Sequence, residues 1–282
     1  MSISILNNIP ALAAQNALAN TQAALQTTLY QLSSGKRINS GADDAAGLAI
    51  ANGLQANVTA LNQTTQNVND GVGQLQVVDG ALGQVTNLLN RAITLATEAS
   101  NGTVTTTQRT ALDNEFSKIK TEIDNIGSNT TFNGSNVFVG STTSIFLSDS
   151  NNSYSIALNV GTLSSSNIQG GSTSGLTAAN LSADALTSAS SAATALTDIN
   201  SAITNVASKR GEVGATINQL QAASNVVSTQ VQNLTSAENG IMAADIPSAV
   251  GDLSRLSILN QTGISALAQA NSAQQVVLRL LQ

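Results

Sequence analysis

Two rows of residues that recur at every seventh position constrain this chain more than any other feature. In the first, Leu54, Leu61, Val68, Leu75, Leu82, Leu89 and Ala96 form one row, and Val58, Thr65, Val72, Asp79, Thr86 and Ile93 follow four residues later each time. In the second, Ile199, Val206, Val213, Leu220, Val227, Leu234 and Ile241 are accompanied by Ile203, Arg210, Ile217, Ser224, Val231 and Glu238. A strict seven-residue repeat keeps one seam on a helix only if the helix supercoils, so each segment predicts a long helix in a left-handed coiled coil. The only prolines, Pro10 and Pro247, lie outside both segments, and nothing of that kind interrupts the helices between them. The two segments are expected to pair as a hairpin, in which polar positions weaken the seam but can fix its register.

The residues between the segments must turn the chain round. Residues 104–126 read as a further amphipathic helix through Leu112, Phe116, Ile119, Ile123 and Ile126, with Gly127 as a stop signal. The period then changes. Tyr154, Ile156, Leu158 and Val160 alternate, the run Thr143 to Leu147 is β-rich, and SDSNNS between them supplies turn residues, which predicts a β-hairpin. Residues 161–190 are rich in Gly, Ser and Thr and are expected to form a loop with weak helix towards its end. Because the two halves of the helical hairpin lie on either side of this middle, the termini come back together.

The ends carry thinner stripes. Leu18, Leu25 and Leu32 fall at sevens with Leu29 between them, and Leu253, Leu256, Leu267, Val277, Leu278 and Leu281 mark the other end. A helix burying one narrow stripe is marginal in water, so the ends are expected to be poorly ordered alone and to need a partner, which other copies of the chain would supply.

Composition limits the function classes. Charged residues are 9% and aromatics 2%, and the four Phe (116, 132, 138, 146) all lie in the middle, where any globular nucleus is expected. A net charge of −6 offers no basic footprint for nucleic acid or anionic lipid, and no window is apolar enough to span a membrane. The first twenty residues lack the basic region of a secretory signal, and the absence of Cys leaves the compartment open. Without His or Cys, the usual catalytic triads and thiolate or imidazole metal sites are missing, no phosphate-binding loop motif occurs, and the sixteen acidic residues are scattered. The chain is therefore expected to be no enzyme, with no cofactor, metal or catalytic residue.

The densest cluster of charge, SSGKRINSGADDAAGLAI at residues 33–50, falls between two helical patterns. Ser34-Gly35 can stop the first helix, and Ser40 to Asp43 offers a cap for the second, with Asp43 and Asp44 at its positive end. Adjacent carboxylates on a helix point about a hundred degrees apart, so the pair does not read as an acid–base dyad. Lys36-Arg37 reads as a solvated or helix-terminal pair.

The stretch QLSSGKRINSGADDAAGLAIANGL closely resembles the amino-terminal signature of bacterial flagellins. NDGVGQLQVVDGAL is similar to that family's first long rod helix, TFNGSNVF to its approach to the β-hairpin, and AQANSAQQVVLRLLQ to its carboxyl terminus. The resemblance covers roughly residues 1–140 and 195–282, and four matches in one order are more specific than any single motif. It implies a mainly α protein: a long antiparallel helical coiled-coil rod with a small β-hairpin subdomain, and termini paired as an inner coiled coil. Residues 1–40 and 247–282 would be the inner terminal domain, 41–130 and 190–246 the rod, and 131–189 a reduced variable region of hairpin and loop. The terminal leucines and valines named above become assembly residues, and Arg37, Asn39, Asp43 and Asp44 the connector.

The resemblance further implies a structural subunit that polymerises with itself into an extracellular flagellar filament for motility. It would be exported unfolded by the flagellar type III apparatus, with a chaperone on residues 253–282 and the filament cap and hook–filament junction proteins as partners. Some flagellins are bound by a vertebrate Toll-like receptor through an Arg, a Leu and a Glu, which match Arg91, Leu95 and Glu115; Ile93 and Thr94 depart from the charged residues frequent in recognised members, and rod packing or surface is the alternative role. Exposed Ser and Thr could carry glycans as in some flagellins. A hook–filament junction protein of the same architecture is the nearest alternative, and a secreted adhesin or coiled-coil effector a more distant one.

Overall fold

The computed structural model describes residues 8–140, 142–148, 155–170 and 178–280, with backbone alone for 274–280. In chain order the elements are α1 (Ile9–Ser34), α2 (Ala45–Ser100), α3 (Thr106–Asn129), β1 (Thr131–Phe132), β2 (Ser135–Asn136), β3 (Thr143–Phe146), β4 (Ser155–Leu158), β5 (Leu163–Ser164), β6 (Asn167–Ile168), α4 (Ala189–Met242) and α5 (Ile246–Leu280). The fold is mainly α with three short antiparallel strand pairs among the described residues. Contacts divide it into two units, Met1–Ala56 with Asn233–Gln282, and Asn57–Gln232.

The second unit holds the main core, shared by α2, α3, α4 and the strands. On α2 the expected row is half-buried at Leu54 and buried from there on: Leu61, Val68, Leu75, Leu82, Leu89 and Ala96 are each at most 2% exposed. Its companion differs from expectation. The row four residues later is buried at Val58 but half-buried from Thr65 to Ile93, whereas Thr64, Gly71, Val78, Val85, Ala92 and Ala99, three residues later, are buried. Positions three and four apart both lie on one helix face, so the period leaves the choice open, and small residues on one side let neighbouring backbones approach. The same holds on α4, where Ala202 and Lys209 are buried and Ile203 and Arg210 are not.

One polar member of each expected companion row meets the other. Arg210 donates to both carboxylate oxygens of Asp79 at 2.8 and 3.2 Å. Leu220 lies beside Gly71, so α4 descends as α2 ascends, and the two run antiparallel. The Lys209 amine, drawn inside, donates to the Asn159 carbonyl at 2.7 Å and pairs with Glu212 at 3.3 Å.

Each strand pair is seated on a helical glycine. The side chain of Ile145 on β3 fills the space at Gly71, the Phe132 ring on β1 covers Gly73, and the Leu163 backbone on β5 lies directly against Gly127. The β1–β2 turn places Asn133 and Gly134 at φ 49° and 77°, the left-handed pair that a two-residue hairpin requires. The expected hairpin is β3–β4, with Ile145 opposite Ile156; Tyr154 and most of SDSNNS lie outside the described residues.

The described part of the segment expected to be a loop is largely packed structure. Leu163, Ile168, Ala179, Leu181 and Leu186 are buried, and Ile168 bridges Ala179. Three charged side chains on one face of α3 hold this strap. Asp124 accepts from Ser165 N at 2.6 Å and Ser165 Oγ at 2.9 Å, Asp113 accepts from Leu186 N at 2.7 Å, and Lys120 donates to the Asp184 carbonyl at 2.7 Å. Gly, Ser and Thr content signals turns, but it carries no information about side chains arriving from a distant helix.

Candidate assembly surface

In the first unit α1 and α5 lie antiparallel: Asn8 reaches the Ala270 carbonyl at 3.3 Å, and Leu18 packs against Gly263. Their ends are well specified. Asn8 caps α1 by accepting from Ala11 N at 3.0 Å, with Pro10 in the first turn, and Gly35 closes it in the left-handed conformation at φ 67°. Asp245 accepts from Ala249 N through its carbonyl at 2.9 Å, ahead of Pro247 in the first turn of α5.

The pairing uses a narrow stripe. Leu18, Leu25 and Leu32 on α1 are half-buried, and Thr28 is buried in the position beside Leu29, which faces outward. On α5, Leu256 is buried and Leu253 and Leu267 are half-buried; the side chains of Val277 and Leu278, and all of Leu281, lie outside the described residues. The two terminal helices thus partner each other, but only along one edge. Elsewhere on them large apolar side chains stand in water among polar ones. Ten of the fourteen large apolar side chains exposed among the described residues belong to this unit: Ile9, Leu12, Leu29, Tyr30, Ile50, Ile246, Val250, Ile258, Leu259 and Ile264. Tyr30 is 70% exposed and Ile258 64%. Single exposed apolar residues are ordinary, whereas a set concentrated on two helices marks an interaction face.

The connector is a latch. Arg37 donates through its backbone N to the Met242 carbonyl at 2.7 Å and through Nη2 to the Ile241 carbonyl at 2.9 Å, at the negative end of α4. Lys36 bridges Ala243, and Ala244 N donates to the Gly35 carbonyl at 3.0 Å. Ile38, which the charge-centred reading passed over, is the hydrophobic anchor: it is buried with Ala51 and Met242. A lone apolar residue inside a polar run is its only sequence signal.

The two aspartates do different work. Asp44 is the cap of α2, accepting from Gly47 N at 2.8 Å through its side chain and from Leu48 N at 3.0 Å through its carbonyl. Asp43 turns back, and one carboxylate oxygen accepts from Asn39 N at 3.0 Å, Ser40 N at 2.8 Å and Ser40 Oγ at 3.1 Å. Those donors, the Asn39 N–H foremost, hold its carboxyl below the usual aspartate range. Asn39 itself donates through Nδ2 to the Lys36 carbonyl at 3.0 Å.

In the second unit, Arg91 and Glu115 form an exposed pair at 2.7 Å, and this hydrogen bond lowers the Glu115 pKa and raises that of Arg91. Leu95 is 1% exposed, inside the core. Among the described residues no group of His, Cys, Asp and Glu is placed to hold a metal, and no helix is long and apolar enough to cross a membrane.

Comparison with known proteins places these features in context. Residues 5–143 match the family model of the bacterial flagellin N-terminal helical region, and residues 196–281 that of the C-terminal helical region. The chain is 32% identical to a flagellar filament 30.7 kDa core protein of Treponema maltophilum, across 98% of this chain and 99% of that one. It is also 32% identical to a flagellin of Halalkalibacterium halodurans, across 99% of both. A crystal structure of Bacillus cereus flagellin aligns with 61% of this chain and 94% of its own, at 31% identity and a TM-score of 0.47.

Proposed function

We propose, given that this chain belongs to the bacterial flagellins, that filament growth buries the outward apolar face of α1 and α5 against neighbouring copies. The protein is a structural subunit of the flagellar filament, an extracellular part of the bacterial flagellum. The concentration of exposed Ile, Leu, Val and Tyr on the two terminal helices carries the proposal. Burying such a side chain completely contributes about 1.5–3 kcal/mol, and those here are already partly covered, so each adds about 1 kcal/mol. Several together can exceed the cost of immobilising a subunit. Contacts that do not close on themselves continue as a helical polymer.

On this reading residues 1–40 and 247–282 form the inner wall of the filament, and Leu18, Leu25, Leu32, Leu253, Leu256 and Leu267 hold the pair together while the exposed residues meet other copies. Export in an unfolded state through the type III apparatus suits helices that gain most of their stability from partners. A chaperone on residues 253–282 would cover the same face until assembly, and the filament cap and junction proteins would meet it at the ends. The full-length relatives named as flagellin and filament core protein do not favour the junction-protein alternative.

Seeded elongation followed by electron cryomicroscopy tests the proposal. Tyr30→Ser with Ile258→Ser is expected to leave the monomer folded and to slow elongation strongly, and a chain lacking residues 1–32 and 253–282 is expected not to elongate. Elongation of the double variant at the wild-type rate would remove the proposed role of this face.

A further inference from the structure

Asn-Gly pairs occur at 52–53, 101–102, 133–134 and 239–240. A glycine after asparagine leaves the following backbone nitrogen sterically open to the side-chain amide carbon, and the folded structure distinguishes the four. We propose that Asn101 is a site of self-modification, at which the turn following α2 promotes conversion of the amide to aspartate and isoaspartate. Gly102 N attacks Asn101 Cγ and loses its proton to water, the C–N bond to the amide nitrogen breaks, and ammonia departs. Water then opens the resulting five-membered imide at either carbonyl. The net change is one water consumed and one ammonia released, with no oxidation or reduction.

Three pairs are held away from that reaction. Asn52 and Asn239 lie inside α2 and α4, where each glycine N–H serves the helix ladder, so closing the ring requires the helix to open. Asn133 is fixed in left-handed backbone by β1–β2, with Phe132 seated over Gly73, so closing the ring requires that hairpin turn to rearrange.

Asn101 is arranged differently. It follows the last residue of α2, and Asn101, Gly102 and Thr103 are all exposed. Nothing lies within 4 Å of where a Gly102 Cβ would be. Thr103 N donates to Asn101 Oδ1 at 3.1 Å, which folds the side chain back over the 101–102 peptide and brings Cγ towards the attacking nitrogen. The same donor sits on the oxygen that gains negative charge as that nitrogen adds, as an oxyanion-stabilising N–H does in acyl transfer. The turn is braced by Val104 N and Arg109 Nη2, which donate to the Asn101 carbonyl at 3.2 and 2.8 Å. The product carboxylate would stand at the negative end of α2, and isoaspartate would insert an extra backbone carbon into the turn that Arg109 braces.

The test is incubation of the full-length folded protein in mildly alkaline buffer, followed by proteolysis and mass spectrometry with fragmentation that separates aspartate from isoaspartate. Tryptic cleavage after Arg91 and Arg109 isolates Asn101 from the other three pairs, and the urea-unfolded chain gives the baseline for all four. Asn101 is expected to convert first, about tenfold faster than Asn52 or Asn239, and ahead of Asn133. Thr103→Pro, which removes the donor, is expected to slow it about fivefold, the contribution of one hydrogen bond. Conversion of another pair ahead of Asn101 in the folded protein overturns the proposal, as does an undiminished rate in Thr103→Pro with the fold intact.

Discussion

Replacing Gly127 with Ala sets helix propensity against packing at one atom. Gly127 lies inside α3, and in an isolated helix the change would stabilise by about 1 kcal/mol. Here the new Cβ would fall on the Leu163 carbonyl oxygen, with the carbonyl carbon only 2.9 Å away, where non-bonded carbons settle at about 3.5–4.0 Å. The obstacle is backbone, so β5 itself must retreat. With it go the buried side chains of Leu163 and Ile168 and the two bonds from Ser165 to Asp124. Overpacking of this kind costs about 1–3 kcal/mol, and partial exposure of two large aliphatic side chains adds about 1–2 kcal/mol. Less the propensity gain, the expected loss is about 1–4 kcal/mol. Gly80→Ala on α2 is the counterpart: the site is exposed with nothing within 4 Å of the added carbon, and a gain of about 0.5–1 kcal/mol is expected. Denaturant unfolding of the monomer, followed by circular dichroism, measures both, and amide exchange at 163–168 locates the first. A Gly127→Ala protein as stable as the wild type, with unchanged exchange there, would refute the argument that this glycine exists for the strand.

The Asp43 carboxyl is expected to titrate below the ordinary aspartate range, because three donors favour its charged form. Its support for the loop is complete above the unfolded value of about 3.9 and is lost as pH falls through the lower folded value; NMR titration of Asp43 and of the Ser40 amide checks this, and an ordinary midpoint contradicts it. Asp184 behaves in the opposite sense: burial first, then the charge of Asp198, raise its pKa, with Lys120 partly opposing, and its Oδ2 is buried without a partner. Ionising it therefore costs stability as pH rises from the unfolded value through the raised one, so Asp184→Asn should be more stable at neutral pH, by up to about 1 kcal/mol, and a less stable variant would show that the charge is needed. Arg37→Ala removes the bond to the Ile241 carbonyl; because the side chain is exposed the loss should be about 1 kcal/mol or less, with faster amide exchange confined to residues 241–244, and unchanged exchange there would deny the latch.

The helical elements were legible because their signals are local or periodic. The sevens from Leu61 to Ala96 and from Ile199 to Val227 mark buried rows, and Gly35 ends α1 as a left-handed glycine should. Asp44 and Asp43 illustrate the limit within a single motif. Both are within reach of the start of α2, and the path of the loop back towards Asn39 decides that one caps the helix while the other ties the loop. For the assembly face, the sequence marked Leu18, Leu25 and Leu32, but not which side they would use; once they turn towards α5, it is Tyr30, Ile9 and Ile258 that remain in water.

Residues 144–195, outside both matched family regions, show what pattern cannot reach. Their Gly, Ser and Thr allow almost any path. Among their described residues, the path at 163–168 and 184–186 follows from Asp113, Lys120 and Asp124, spaced along one face of α3, and from the absence of a side chain at Gly127 that lets a strand lie against the helix. Periodicity and capping are properties of neighbours in the chain and are written in order along it. The choice between the third and fourth residue of a heptad, the burial of Lys209 rather than Arg210, and the seating of strands on Gly71, Gly73 and Gly127 depend on surfaces that meet only when distant segments pack, and the balance of volume and hydrogen bonds at those meetings settled them.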